Sequence, residues 1–430
     1  MDEAVNASRI EALRTPEALA FIDRHRTENV RDLALRTKRD GTLDMPWVLD
    51  QISGWQTART KLPQWSQCEG IVYPPHLSME QCSSQQTAIY KEKLAERLTK
   101  GTDGGLVDLT GGLGVDFSYM ARVFSRAVYV ERQQHLCDIA LHNMRALGLA
   151  QVQIVHADGI SYLRDMPSAS MIFIDPARRD SHGARTYAIE DCTPNVLALK
   201  DELLAKAPMV MLKLSPMLDW RKTVRDFAGA VSEVHIIAVG NECKELLLVL
   251  TRKTTEAPHV CCVNDDQRLD FHWNAGFTAK HGENATVDQT DAVSDNMVKT
   301  GAEDRSGSLR IEHLYEPNAA VMKTGCFNVI EQMFDVRQVA ANSHLYVSDM
   351  KVSGFPGRAF VVDAITTMNK KELKRALAGV DKANITVRNF PLSVVQLRSK
   401  LKLRDGGDTY LFATTLADGT HVIMRTRKES

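Results

Sequence analysis

The sequence lacks the features that would assign it to a membrane, an oxidising compartment or a metal centre. No apolar run approaches the roughly 20 residues a membrane-spanning helix needs, and the first residues (MDEAVNASRIEALR) are charged, with no apolar signal core. Eight cysteines are scattered without a CxxC pair; Cys261 and Cys262 are merely adjacent. That spacing supports neither a disulfide framework nor a zinc site, and points to a reducing cytoplasm with no metal and no membrane partner. Charge of one sign is also missing. Lys and Arg number 53 against 54 Asp and Glu, so any basic surface must be local. There is no internal repeat. What remains is an ordinary globular composition in 430 residues, too long for one core and consistent with roughly two to four domains.

Against that background one stretch stands out. In Gly105–Phe117 (GLVDLTGGLGVDF) an apolar run carries a single acid, Asp108, and breaks at Thr110-Gly111-Gly112-Leu113-Gly114. It resumes with helical spacing through Tyr119, Met120 and Val123. The pattern predicts a buried strand, a glycine turn and a helix start. Glycine suits a backbone that turns sharply beneath a ligand, and the helix start offers free N–H groups to it. A strand–helix turn without a ligand has the same local signature, and two nucleotide ligands compete for it. A dinucleotide fingerprint wants glycine where Phe117 stands, and would set a pyrophosphate against Asp108. A cationic, amine-bearing ligand such as S-adenosylmethionine would instead welcome that carboxylate.

Downstream the chain alternates. Ala127–Val130 reads as a strand ending in Glu131, followed by a helix that stops at Gly148. Val152–Val155 is a strand leading to Asp158, and Met171–Ile174 one leading to Asp175-Pro176-Ala177-Arg178-Arg179. Thr193-Pro194 reads as the cap and first residue of a helix to about Ala205. Met209–Leu214, Glu233–Val239 and Leu246–Leu250 are three further strands, the last two joined too closely for a crossover helix and so expected to be antiparallel neighbours. Alternating strands and helices predict a doubly wound α/β sheet, whose ligands lie at the carboxyl ends of the strands. Asp108, Glu131, Asp158 and Asp175 all fall at such ends. The two oxygens of Glu131 suit two ribose hydroxyls, and Asp158 suits an adenine amino group. Gln85 and Thr87, on a helix just before the first strand, are placed to touch a cofactor.

Residues 105–251 resemble a class I S-adenosylmethionine-dependent methyltransferase. DLTGGLGVD stands as its first motif, Glu131 as its strand-two acid, Asp158 as the adenine-side acid and DPARR as its fourth motif. The resemblance implies a Rossmann-like seven-stranded core with a reversed last strand, and S-adenosyl-L-methionine as cofactor. It implies a cofactor site drawn from Asp108, Thr110, Gly111, Gly112, Gly114, Asp116, Phe117, Glu131 and Asp158, with Gln85 and Thr87 beside it. The fourth motif is similar to two variants. Enzymes that methylate exocyclic base amines read Asp/Asn-Pro-Pro-aromatic, where this chain has Ala177 and Arg178. Enzymes that methylate uracil carbon 5 read Asp-Pro-Pro-Arg but need a Cys after strand five, where this chain has Lys213-Leu214-Ser215-Pro216. A covalent carbon mechanism is thereby disfavoured. Transfer to nitrogen or oxygen remains, with Asp175-Pro176 orienting the acceptor or taking its proton, Arg178 and Arg179 clamping a phosphate, and Lys213 reaching the same pocket.

On either side of that core the composition suggests a helical domain over residues 1–80, a methyltransferase domain over 81–255 and a polar linker or insertion over 256–310. An α+β module follows. From Lys370 to Ser430 there are 13 Lys and Arg against 6 Asp and Glu, a balance that suits phosphate binding as well as a solvated face. Through GWQTARTKLPQW, EQCSSQQTAIYK, LYEPNAAVMKTG, FPGR and NFPLSVVQLRSKLKLRDGGDTYLFATT, the whole chain resembles a bacterial family whose core carries a ferredoxin-like domain (here 311–380) and a THUMP-like domain (here 381–430). The resemblance implies RNA as partner, because THUMP-type modules bind RNA. The expected activity is methylation of a base nitrogen of tRNA or rRNA in the cytoplasm. A methyltransferase for a small molecule or protein, and a non-catalytic RNA-binding protein, are the alternatives.

Overall fold

The structure, a computed structural model, describes residues 10–37, 41–102, 104–177, 189–274 and 311–429. The chain divides into two compact units, Met1–Val234 with Glu245–Glu256, and His235–Lys244 with Ala257–Ser430.

The first unit opens with helices α1 (Pro16–His25), α2 (Val30–Arg36), α3 (Met45–Lys61), α4 (Pro63–Gln67) and α5 (His76–Gln81). Thr15, Asn29 and Asp44 each accept first-turn N–H groups, and Pro16 and Pro46 occupy first-turn positions that need no donor. Trp65 and Tyr73 pack with Ala88, Leu113 and Tyr119, which seats the helices on the sheet domain. Buried amides secure the connection. Gln51 bonds the Tyr73 backbone twice (2.9 and 2.8 Å), and Asn143 does the same to Val72 (both 2.8 Å).

Helix α6 (Gln85–Thr99), capped by Ser84, leads into the sheet. Its elements are β1 (Leu106–Asp108), α7 (Val115–Met120), β2 (Ala127–Glu131), α8 (Gln134–Ala146), β3 (Val152–His156), α9 (Gly159–Asp165) and β4 (Met171–Ile174). There follow α10 (Lys200–Lys206), β5 (Met209–Leu214), α11 (Trp220–Asp226), β6 (Val231–Val239) and β7 (Glu242–Thr251). The strand order is β3-β2-β1-β4-β5-β7-β6. β1 to β5 pair in parallel and β7 runs antiparallel to β5, with Leu214 opposite Leu246. This is the seven-stranded Rossmann-like core with one reversed strand. β1, β2 and β4 are buried throughout, as parallel strands covered on both faces must be. The order reverses between β1 and β4, so the carboxyl ends of these strands flank the switch-point crevice.

One expected element is displaced. Thr193-Pro194 opens no helix: its peptide bond is cis, and α10 begins only at Lys200. Thr193 and Ala177 exchange two backbone hydrogen bonds (2.8 and 2.9 Å), and this bridge outweighs the helix-start signal by holding Thr193 against the strand-four loop.

In the second unit the outer half of β6 is followed in sheet order by β8 (His259–Asn264) and β9 (Gln267–His272). A second sheet contains β10 (His313–Pro317), then, after α12 (Ala319–Thr324) and α13 (Phe327–Met333), β11 (Arg337–Gln338), β12 (Tyr346–Ser348) and β13 (Gly357–Thr367). It is completed by β14 (Asn384–Arg388), β15 (Thr409–Thr415) and β16 (His421–Lys428), with α14 (Lys370–Ala376) before β14 and α15 (Val394–Leu401) after it. The order is β11-β12-β10-β13-β16-β15-β14. Leu373 and Leu377 from the α14 segment, and Leu397 and Leu401 from α15, share one cluster with Leu411 and Ile423, so both helices cover the same sheet face. Among the described residues no helix is long and apolar enough to cross a membrane.

Candidate active site

Three positions of the turn after β1 call for glycine. Gly112 (φ +56°) and Gly114 (φ +77°) are left-handed, and a Cβ on Gly111 would run into the Tyr129 ring. Tyr129, buried in β2, donates its hydroxyl to the Gly112 carbonyl, while the Gly112 N–H donates to Glu131 Oε2 (3.0 Å). The Thr110 N–H donates to Asp108 Oδ1 (2.9 Å), and the Thr110 hydroxyl accepts the Asp175 N–H (2.7 Å). The ends of β1, β2 and β4 are thus stitched to one another.

Beyond the turn lies a cleft of about 210 Å3. Leu109, Ile160, Leu163 and Ile174 give it apolar walls, Glu131, Asp158 and Asp175 give it acids, and Thr193 and Pro194 also line it. Glu131 Oε1 accepts the Gln133 N–H (2.9 Å), which leaves each of its oxygens a lone pair for a ligand. Asp158 caps α9 through Oδ1, taking the N–H groups of Ile160 (3.1 Å) and Ser161 (3.0 Å), so the helix it starts fixes its direction. An apolar slot rimmed by carboxylates suits a flat heteroaromatic ring joined to a hydroxyl-bearing sugar and a positively charged group. A pyrophosphate would meet three acids there. The donor set therefore fits S-adenosylmethionine.

Behind the cleft the acids are treated very differently. Asp108 is buried, and its side-chain partners among the described residues are the N–H and hydroxyl of Thr110. Burial, reinforced by Asp116, Asp175 and Glu131, pushes its carboxyl up to about 8. Asp116 does not line the cleft. It accepts from Ser83 Oγ (2.7 Å) and pairs with the ammonium groups of Lys91 (3.1 Å) and Lys213 (3.2 Å). Burial alone would raise its carboxyl, but Lys213 and Lys91 outweigh that and hold it at about 2. Lys91, wholly buried, also pairs with Glu245 of β7, and Lys213 Nζ lies 2.7 Å from Asp175 Oδ2. Burial works against the Lys213 charge, yet Asp116, Asp175 and Glu245 hold its ammonium well above the usual lysine value. Charge alternates along Glu245, Lys91, Asp116, Lys213 and Asp175.

Of the residues expected at a cofactor, Thr110, Glu131 and Asp158 line the cleft, and Gly111, Gly112 and Gly114 shape the turn beside it. Phe117 packs edge-on to Tyr129 at 5.6 Å within the core. Gln85 accepts the Gln64 N–H (2.7 Å), and Thr87 is buried with its hydroxyl on the Ser84 carbonyl; neither lines the cleft. Of the residues expected at the methyl acceptor, Asp175 and Lys213 meet, and Pro176 is buried. Arg178 and Arg179 lie outside the described residues. Ser83, Lys91 and Glu245 were not anticipated. A trace of Lys91 was present, since it falls on the apolar face of α6 with Ala88, Leu94 and Ala95. Among the described residues no cluster of His, Cys, Asp or Glu could hold a metal ion.

Comparison with known proteins bears on both units. Two family models match the second: a ferredoxin-like domain over residues 313–356 and a THUMP domain-like family over 357–428. The crystal structure of a candidate methyltransferase from Porphyromonas gingivalis W83 aligns with a TM-score of 0.79 and 30% identity, over 96% of this chain and 98% of that one. A SAM-dependent methyltransferase from Agrobacterium tumefaciens aligns over 39% of this chain and 62% of its own, with 19% identity and a TM-score of 0.31. A candidate class I S-adenosylmethionine-dependent methyltransferase from Listeria monocytogenes aligns over 58% and 93%, with 11% identity and a TM-score of 0.38. No curated protein matches the chain.

Proposed function

The chain belongs to the S-adenosylmethionine-dependent methyltransferases that carry C-terminal ferredoxin-like and THUMP-like domains, and from that premise we propose that it methylates a base nitrogen of tRNA or rRNA in the cytoplasm. In this reading residues 81–255 perform the transfer and 311–430 hold the RNA. When bound, S-adenosylmethionine supplies an electrophilic methyl and a neutral thioether leaving group. Glu131 would hold its ribose hydroxyls and Asp158 its adenine amino group, with Ile160 and Leu163 among the apolar residues that line the cleft.

The observation that carries the choice of acceptor is the Lys213–Asp175 pair at 2.7 Å, whose carboxylate is 39% exposed at the cleft. A carboxylate held in place by an ammonium is a directional hydrogen-bond acceptor. It can orient an N–H so that the nitrogen lone pair points along the transfer line. A hydroxyl would have to lose its proton to become a good nucleophile. A nitrogen needs no such step: its lone pair would form the C–N bond as the donor's S–C bond breaks, and the surplus proton would then pass to water. The THUMP domain-like match and the 13 cations against 6 acids beyond residue 369 support RNA as the carrier of that nitrogen.

Two measurements test the reading. Calorimetry should show binding of S-adenosylhomocysteine and none of NAD. Mass spectrometry of nucleosides from cells lacking the gene should show one methylated nucleoside lost, returning with wild type and not with Asp175→Ala. Turnover on a small molecule or protein with no RNA present would replace the RNA reading with its rival.

A further inference from the structure

We propose that Lys91, Ser83 and Glu245 are positioning residues for methyl transfer, acting through Asp116 to keep the Lys213 ammonium on Asp175. The inference rests on Asp175 being the acceptor-side group. None of the three lines the cleft, yet all are buried, on the segment leading into α6 (Ser83), on α6 itself (Lys91) and on β7 (Glu245). Charges taken out of water are costly unless each is paired. An apolar side chain would serve packing at position 91 better, because Ala88, Leu94 and Ala95 already define that face of the helix as buried. A lysine there is understandable if its charge has a task.

The geometry assigns the task. Lys213 shares its ammonium between two carboxylates, Asp175 at 2.7 Å and Asp116 at 3.2 Å. What decides the sharing is how much of the Asp116 charge is already met. Lys91 meets it at 3.1 Å on Oδ1, while Lys213 and Ser83 take Oδ2. Ser83 Oγ lies 2.7 Å from Asp116 and 3.0 Å from Glu245, and accepts from Lys91 at 3.4 Å, so one hydroxyl keeps the two acids apart and the lysine between them. Without Lys91, Asp116 would keep only Lys213 and the Ser83 hydroxyl among the partners just described. The ammonium would move towards Asp116 and free the Asp175 carboxylate to swing.

The test compares Lys91→Met, Lys91→Arg and the charge-balanced pair Lys91→Met/Glu245→Gln, which remains informative if the single Met variant fails to fold. Crystal structures read the Lys213–Asp175 distance without any substrate. The pair should be broken in both Met variants and kept in Lys91→Arg. In transfer assays on RNA from cells lacking the gene, kcat should fall about tenfold or more in the Met variants and recover in part with Arg, while the Kd for S-adenosylhomocysteine stays within about threefold. A Lys213–Asp175 pair that persists in a folded Met variant overturns the proposal, as does a kcat that survives. Wild-type protein that methylates no RNA would instead refute the choice of substrate, and the crystallographic arm would still decide on the positioning network.

Discussion

Two buried acids a few residues apart in sequence respond to pH in opposite directions. The Asp108 carboxyl moves from the usual 3.8 to about 8 on folding, so between those values the folded chain keeps a proton the unfolded chain has released. Stability from this group therefore falls as pH rises from about 4 to about 8 and then levels off. Asp116, held at about 2 by Lys213 and Lys91, contributes fully above about pH 4 and loses its contribution as pH falls towards 2. Asp108→Asn should remove the alkaline loss, and chemical denaturation at about pH 6 and pH 8.5 checks it: the wild type should weaken by a few kcal/mol between the two, the variant much less. Gly111→Ala should cost roughly 1–3 kcal/mol, because the new methyl meets the Tyr129 ring, and should weaken S-adenosylhomocysteine binding by shifting the turn. Residues of this kind were partly legible. Asp108, Glu131, Asp158 and Asp175 each end an apolar run, and a strand end is a place a sequence announces. Lys91 and Glu245 pair across 154 positions, and no local pattern reports which buried charge will find which.

At the scale of the element, α9 offers a way to separate folding from ligand binding, because Asp158 caps the helix and, in the proposed function, also holds the adenine amino group. Asp158→Ala should lose the cap, costing about 1 kcal/mol, and lose affinity for S-adenosylhomocysteine as well. Asp158→Asn can cap through Oδ1 but presents an amide NH2 where the adenine amino group needs an acceptor. Thermal denaturation should find it near wild type, and calorimetry should find binding about tenfold weaker. Equal losses in the two variants would confine Asp158 to capping. The elements themselves were readable where apolar runs alternate with amphipathic ones, and less so elsewhere. β8 carries Val260–Val263, all buried, but the polar composition on its far side drew it into the segment read as linker. The rest of that acidic stretch, residues 275–310, lies outside the described residues. Helix α14 has no apolar stripe, only Leu373 among KKELKRA, and depends on Asn369 accepting the N–H groups of Lys371 and Glu372. Thr193-Pro194 shows the opposite error, a sound local signal overridden by the pairing of Thr193 with Ala177.

For the whole molecule the question is whether the second unit contributes substrate affinity, and its topology decides how to ask. The strands beyond Asp381 complete the sheet that β10 begins: β16 pairs with β13 from Phe360 opposite Lys428 to Thr367 opposite Val422. Truncation after Asp381 would strip β13 along most of its length, so lost activity would report a broken sheet. Charge reversal leaves the sheet intact. Lys374 on α14, with Lys400 and Lys402 at the end of α15, are exposed on helices that cover one face, and local basicity there was visible in the sequence although the shared face was not. Combined Lys374→Glu, Lys400→Glu and Lys402→Glu should leave the circular dichroism spectrum and the S-adenosylhomocysteine Kd unchanged. RNA affinity at low salt should fall at least about tenfold, and the dependence of log K on log salt should flatten by roughly 0.7 for each phosphate of single-stranded RNA that the protein ceases to neutralise. The slope is the discriminating quantity, because a substrate held only by the cleft would show none of this flattening. An unchanged affinity and slope would remove this cationic face from RNA binding.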